Sequence, residues 1–209
     1  MVEIVDGVEI LGLSLYIIKE KPLIIGDLHL GIENSLINQG ILIPKFQFDN
    51  VKENIKKILD KYNVKRTILN GDIKHEFSKI NAQEWKDVYL LIDFLEKYCQ
   101  VEIVIGNHDY IMKKNLELNR YKTKYFVSIG DIMVLHGDFI PEEVIDKKII
   151  IIGHEHPCVL LKEGAKAEKF KCFMKGKWKN KVLVVMPSFN PLNEGTDILN
   201  REFLSPFLT

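Results

Sequence analysis

The chain has 209 residues, of which 46% are hydrophobic and 28% charged, and its 29 basic and 29 acidic side chains leave no formal net charge. This composition is typical of a globular protein, and the length suits one domain with a large core better than two. Because the net charge is zero, the chain as a whole has no electrostatic field that would attract nucleic acid. No apolar stretch reaches the ~18 residues of a membrane span. We therefore expect a single domain over residues 1–209 and no membrane partner.

The N-terminus and the cysteines bear on the compartment. The first residues lack the basic region, apolar core and cleavage site of a secretory signal. Cys99, Cys158 and Cys172 are odd in number and lack the spacing of a zinc site, so we interpret them as buried or free thiols. Reduced thiols are typical of the cytoplasm, where we expect this protein to be.

Strands and helices alternate in the first half of the chain. Residues 1–20 predict a hairpin, because glycines interrupt two β-branched runs, and a strand follows at Leu23–Ile25. Apolar residues at helical spacing predict helices over Lys45–Tyr62 and Ala82–Tyr98. Each helix leads into a short apolar strand. This alternation favours a parallel or mixed sheet covered by helices.

From residue 120 onward, short apolar strands follow one another with little helix between them. This change predicts a second, more antiparallel sheet packed on the first. The predicted strands are Tyr125–Val127, Ile132–Leu135, Ile149–Ile152, Val159–Leu161 and Val182–Met186.

All six histidines lie in five short polar motifs, each directly after an apolar run. In open α/β folds the ligand site lies at the carboxyl ends of the strands, so the five motifs are expected to converge there. The motifs are Gly26-Asp27-Leu28-His29, Gly71-Asp72-Ile73-Lys74-His75, Gly106-Asn107-His108-Asp109, His136-Gly137-Asp138 and Gly153-His154-Glu155-His156.

These motifs supply seven nitrogen and oxygen donors, too many for one tetrahedral ion but suited to two ions that share a carboxylate. Such donors without thiolate favour Mn, Fe, Zn, Ni or Co. Two metals roughly 3.5–4 Å apart can clamp the attacking and leaving oxygens of a phosphoryl displacement, and they turn a bridging water into hydroxide near neutral pH. His136 could instead be a core histidine. The candidate donors are Asp27, His29, Asp72, Asn107, His136, His154 and His156.

The order GDLHLG, GDIKH, GNHD, HGD and GHEH, over residues 26–156, resembles the calcineurin-like metallophosphoesterase superfamily. The resemblance implies a four-layer αββα sandwich with two mixed β-sheets flanked by helices. It also implies two divalent metal ions, with Mn²⁺ preferred and Ni, Fe, Zn or Co as alternatives. Asp72 would bridge the ions. The other implied ligands are Asp27, His29 and His156 for one ion and Asn107, His136 and His154 for the other.

The same resemblance implies three catalytic residues. His108 would face the substrate and protonate the leaving oxygen or stabilise the transferring phosphoryl group. Asp109 would orient the His108 imidazole, although it could merely cap the following segment. His75 is similar to a histidine of the nuclease branch of the superfamily, where the extra imidazole contacts the phosphate or leaving group of a diester. The alternative for His75 is a solvent-exposed side chain near the site.

Two further segments, Lys74-His75-Glu76-Phe77 and Pro187-Ser188-Phe189-Asn190-Pro191, resemble a narrower group: small stand-alone prokaryotic phosphoesterases of the ligase-associated type. That group lacks a capping domain, and no insertion here is long enough to roof the site. We therefore expect hydrolysis of phosphodiesters, with single-stranded nucleic acid or a nucleotide as the partner. The alternatives are a phosphomonoesterase acting on a nucleotide or phosphoprotein, and a non-catalytic scaffold. The scaffold conflicts with the presence of His108 and every ligand position.

Two stretches near the C-terminus leave alternatives open. Residues 162–181 contain eight lysines against two glutamates, which indicates either a solvated hairpin face or a surface that contacts a phosphate backbone. Residues 197–209 form an apolar tail that packs either on its own sheet or on a partner.

Overall fold

The computed structural model describes most of the chain. Residue 165 of the lysine-rich stretch and residues 200 and 201 of the apolar tail lie outside the described part. The described residues are 2–77, 82–119, 121–164, 166–199 and 202–209.

The first sheet has seven strands in the order of the chain. Its first three strands form an antiparallel meander rather than the single predicted hairpin, and the last four run parallel. The strands are β1 (Val2–Val5), β2 (Val8–Leu11), β3 (Ser14–Ile17), β4 (Pro22–Gly26), β5 (Arg66–Asn70), β6 (Gln100–Val104) and β7 (Thr123–Lys124).

The second sheet has five strands and is mixed, as the family resemblance implied, but its centre is parallel, so it is not more antiparallel than the first sheet, as had been predicted. The prediction was wrong because a 3₁₀ helix and a β-hairpin make the crossovers, so no long helix marks them in the sequence. Only the two edge strands are antiparallel. In spatial order the strands are β13 (Met174–Trp178), β14 (Lys181–Val185), β10 (Ile149–Ile152), β9 (Ile132–Leu135) and β8 (Phe126–Ile129).

A small third sheet holds the strand predicted at Val159–Leu161. Its strands are β12 (Lys166–Lys171), β11 (Pro157–Glu163) and β15 (Thr196–Asp197). Much of the lysine-rich stretch is therefore a hairpin, as one alternative held. Several of its lysines are structural: Lys171 donates to the carbonyls of Ser188 and Asn190, and Lys181 donates to two carbonyls near the 3₁₀ helix.

Four α-helices are present in the described residues. Two correspond to predicted helices. In α2 the buried residues Val51, Ile55 and Leu59 are four positions apart and form one apolar face. The other two are short and were not predicted. The helices are α1 (Ile32–Asn38), α2 (Gln47–Lys61), α3 (Ala82–Glu96) and α4 (Tyr110–Leu118), and the 3₁₀ helix spans Glu142–Asp146.

The packing is that of a four-layer α/β sandwich. Alternate residues of the first sheet point to opposite faces, so Ile25 packs under α2 and α3 while Ile24 packs against the second sheet. The outer face of the second sheet is covered by Val144 of the 3₁₀ helix and Phe207 of the tail, which therefore packs on its own sheet. No helix in the described ranges is both long and apolar enough to cross a membrane.

Candidate metal centre

Polar side chains from five loops meet at the carboxyl ends of β4, β5, β6, β9 and β10. These strands run parallel within two stacked sheets, so the loops that follow them share one rim. The predicted convergence is observed. The side chains brought together are Asp27, His29, Asp72, His75, Asn107, His108, His136, His154 and His156.

The first cluster consists of Asp27, His29 and His156, with Asp72 beside them. One donor atom from each of these four residues lies within 4.8 Å of all the others. His29 Nε2 faces His156 Nε2 at 3.1 Å, and His156 Nε2 lies 3.3 Å from Asp27 Oδ1. Two imidazole nitrogens and a carboxylate aimed at one point form a ready site for a cation.

The second cluster consists of Asn107, His136 and His154, again with Asp72. His136 Nε2 lies 2.8 Å from Asn107 Oδ1 and 3.0 Å from His154 Nδ1. One oxygen of Asp72 lies 3.4 Å from His136 Nε2, and the other lies 3.8 Å from His29 Nε2. The Asp72 carboxylate therefore lies between the clusters.

The backbone of the clusters is strained. Asp27, His29, Asp72, His154 and His156 all have positive φ, at 54°, 43°, 48°, 68° and 48°. A non-glycine residue in this region costs of the order of 1–3 kcal/mol, and such strain concentrates at functional sites.

Two motif glycines let the loops approach the carboxylates closely. A Cβ on Gly106 would overlap the Asp72 carboxylate, and one on Gly153 would overlap that of Asp27. Glycine at these positions is therefore required by the close approach of the backbone to the site.

Burial and neighbouring charges shift the pKa values of the carboxyl and imidazole groups in the clusters. Burial raises the pKa of Asp27, but His156, His136 and His29 outweigh that effect and lower it to about 2. Burial, then Asp109 and Asp27, hold the pKa of Asp72 well above its usual range. Burial lowers the pKa of His136 to about 3, so the ring is a neutral nitrogen donor.

This donor set fits divalent cations. The donors are carboxylate and amide oxygens and neutral imidazole nitrogens, which suit metals of the borderline class. Among the described residues, the ion pairs of Asp27 and Asp72 involve only histidines. A cation bound between the clusters would offset the buried negative charge.

His108 lies beside the clusters. Its Nδ1 is 2.6 Å from the carbonyl oxygen of His75, and since a carbonyl only accepts, Nδ1 carries the proton. Its Nε2 then faces the site, 3.7 Å from Asp72 Oδ2. Burial lowers the pKa values of both His108 and His75. The His75 ring lies 6.3 Å from that of His108 in a stacked orientation, so it belongs to the site rather than to bulk solvent.

The predicted contact between Asp109 and the His108 ring is wrong, because the carbonyl of His75 takes that position. The buried carboxylate of Asp109 instead accepts hydrogen bonds from the backbone N–H groups of Gly106, Ile73 and Lys74. Burial raises its pKa to about 7. Asp109 therefore joins the loops after β5 and β6, and it acts on His108 only through the backbone.

Several supporting residues were not predicted. Ser188 donates to the carbonyl of Asp27, while Asn190 and Gln47 donate to that of His29. The side-chain amide of Asn193 lies 2.9 Å from His156 Nδ1. The segment from Pro187 to Pro191 had been singled out only as a family resemblance, and no sequence pattern marked Gln47 or Asn193.

The C-terminal tail supports the loops that follow the second sheet. Ser205 donates through its hydroxyl to the carbonyl of Gly137, at 2.6 Å. Glu155, between the two histidines of its motif, accepts from the backbone N–H groups of Leu204 and Ser205. The tail is therefore hydrogen-bonded to both motifs that follow strands of the second sheet, the one at Gly137 and the one at Glu155.

A protein-family model and several solved structures are similar to this chain. Residues 21–157 match the family model described as calcineurin-like phosphoesterase. No curated protein sequence gives a significant match. Among solved structures the fold is similar to nuclease MPE from Pseudomonas putida, at a TM-score of 0.67 and 16% identity, over 90% of this chain and 84% of that one. A Vps29 mutant from Entamoeba histolytica is also similar, at a TM-score of 0.38 and 17% identity, over 83% of this chain and 79% of that one.

The sequence identity to nuclease MPE is low, so that similarity bears on the fold alone. The family model carries more, because it spans well over half of the chain and includes all five motifs that build the two clusters. The chain belongs to the calcineurin-like phosphoesterase family.

Proposed function

We propose that this metal-dependent phosphoesterase hydrolyses phosphodiesters with the help of two divalent ions. Mn²⁺ is the preferred metal, with Ni, Fe, Zn or Co as alternatives, since the donors are nitrogen and oxygen without thiolate. A single-stranded nucleic acid or a nucleotide is the proposed substrate.

The observation that carries the proposal is the position of Asp72 between two clusters of donors. Asp27, His29 and His156 would hold one ion, and Asn107, His136 and His154 the other, with Asp72 shared. When bound, two such ions neutralise charge on the phosphate and lower the pKa of water.

His108 is the proposed acid that serves the leaving oxygen. The His75 carbonyl fixes the ring through Nδ1, so Nε2 is free to face the substrate. In its protonated form Nε2 can donate to the leaving oxygen, and in its neutral form it can accept. Asp109 holds the loop that carries His108, so it is a positioning residue in this scheme.

The charge around His108 favours a diester over a monoester. A monoester dianion needs more positive charge than a diester monoanion. Lys74, the one lysine of the loop 71–77, acts electrostatically on His108 and His75, but it is only 2% exposed, so its ammonium group makes no direct contact with a substrate at the rim. His75 can supply a hydrogen bond to the phosphate or leaving group without adding a full charge.

Matched aryl diester and aryl monoester substrates in Mn²⁺ test the proposal. We expect kcat/KM to favour the diester by about tenfold or more, and His75→Ala to lower diester turnover more than monoester turnover. Metal content should be unchanged in this variant, because His75 is outside both clusters. A tenfold monoester preference that persists in His75→Ala would contradict the diester assignment.

A further inference from the structure

Phe77 is a large aromatic side chain that lies beside His108 yet remains 53% exposed. The two ring centroids are 4.7 Å apart, with an angle of 68° between the ring planes. Phe77 ends the described part of the loop that also carries Asp72 and His75. Part of its ring packs on His108, and the rest faces solvent at the rim of the site.

The position of Phe77 beside His108 places its ring where it can contact the leaving group of a substrate. A leaving oxygen served by His108 must lie within hydrogen-bond distance of Nε2. The group attached to that oxygen then extends past the imidazole, whose ring neighbours include His29, His75 and Phe77, with Phe77 the nearest and 53% exposed. Aromatic rings attract one another in offset or edge-to-face arrangements with centroids about 4.5–7 Å apart.

We propose that Phe77 is a specificity-determining residue that binds an aromatic group on the leaving oxygen of the substrate. The inference rests on the proposed function, because it takes His108 as the residue that serves the leaving oxygen. It adds a preference for phosphodiesters with a planar aromatic leaving group over those with an aliphatic one.

Two methyl phosphodiesters with leaving groups of similar acidity provide the test, one phenolic and one a fluorinated tertiary alkanol. Phe77→Leu keeps an apolar side chain against His108 but removes the π face, whereas Phe77→Trp keeps a π face. We expect Phe77→Leu to reduce the aromatic-over-aliphatic ratio of kcat/KM by about threefold to tenfold, the range of one aromatic pair. Phe77→Trp should preserve the ratio, and both variants should keep the metal content of the wild-type protein.

Tyr98→Leu is the matched control. Tyr98 is also a partly exposed aromatic residue, 41% exposed, whose ring packs against Phe94. It precedes β6 and is therefore at the edge of the sheet opposite the site. This variant should leave the ratio unchanged.

Three results would overturn the inference. Unchanged kcat/KM for both substrates in Phe77→Leu would show that the ring does not bind the leaving group. Equal slowing of both substrates would show that Phe77 only packs on His108. If the wild-type protein cleaved neither diester, the proposed function itself would fail, and this inference with it.

Discussion

The two clusters share Asp72 but are supported in different ways. Side chains reach the first cluster directly: Ser188 and Asn190 bind the carbonyls of Asp27 and His29, and Asn193 lies against the His156 ring. In the second cluster His136 is fully buried, and its Nδ1, like Nδ1 of His29 in the first cluster, has no hydrogen-bond partner among the described residues. The backbone carbonyl of His136 accepts a hydrogen bond from the N–H of Gly153, which extends the pairing of β9 and β10.

This difference separates two kinds of preorganisation. The first cluster depends on polar groups that contact the His156 ring and the carbonyls of Asp27 and His29, so removing one of these groups should weaken it. The second depends on the sheet and on burial, with the tail bound behind its loops through Ser205. Its geometry should therefore tolerate polar substitutions nearby, while its stability should follow that of the sheet.

Removing the shared residue should have the largest effect. Asp72→Ala deprives both clusters of a ligand, so metal content should fall and kcat/KM should drop by about a thousandfold or more. Elemental analysis and kinetics on the same sample, with circular dichroism as the control for folding, check the expectation. Two metals per chain at normal affinity in this variant would refute the bridging role.

His108→Ala should separate catalysis from metal binding. The residue is outside both clusters, so metal content should be unchanged while kcat falls by about 10²–10⁴-fold, the usual contribution of a general acid or base. Steady-state kinetics at saturating Mn²⁺ measure the loss. Full activity at neutral pH would remove His108 from the mechanism.

Asn193 tests the polar support of the first cluster. Asn193→Leu removes the group that orients His156, and outer partners of this kind typically contribute about 10–100-fold to metal affinity. We expect one of two ions to bind more weakly by that factor, in a calorimetric titration. In Asn193→Asp a carboxylate oxygen replaces the amide nitrogen that faces Nδ1 and can accept from the Nδ1–H of a histidine that binds metal through Nε2, while the other oxygen keeps the hydrogen bond from the N–H of Gly195, so the affinity should be retained. Asn180→Leu, at an exposed position, is the control. If Asn193→Leu lowered the affinity for both ions equally, the two clusters would not differ in their support.

Ser205 tests the tail and should have the smallest effect on the site. Ser205→Ala leaves the buried carbonyl of Gly137 without its donor, at a cost of about 1–3 kcal/mol in the free energy of unfolding. Denaturant unfolding measures this loss, and the exposed Ser128, changed to Ala, should change stability by less than about 0.5 kcal/mol. Metal affinity should fall less than in Asn193→Leu. The reverse order would show that the tail, not the sheet, sets the geometry of the second cluster.

The sequence by itself determined most of the strands, the two long helices and the edge at which the polar motifs meet. Apolar runs end within three residues before Asp27, Asp72 and His136, and the carboxyl ends of parallel strands share one edge, so convergence followed from local pattern. The helices α2 and α3 were predictable for the same reason, since their apolar spacing is periodic. The short helices α1 and α4 carried too few turns for such a pattern.

Tertiary structure alone decided the contacts between distant segments. His154 and His156 are two residues apart yet join different clusters, a division that the family resemblance had implied and strand spacing could not give. The hydrogen bond from Ser188 to Asp27 spans 161 positions and exists only because the loop that follows β14 passes the end of β4. Asp109 was assigned to a ring and instead binds backbone N–H groups of two loops. Local pattern fixes where a strand ends, whereas the partner of a polar side chain depends on how the two sheets stack.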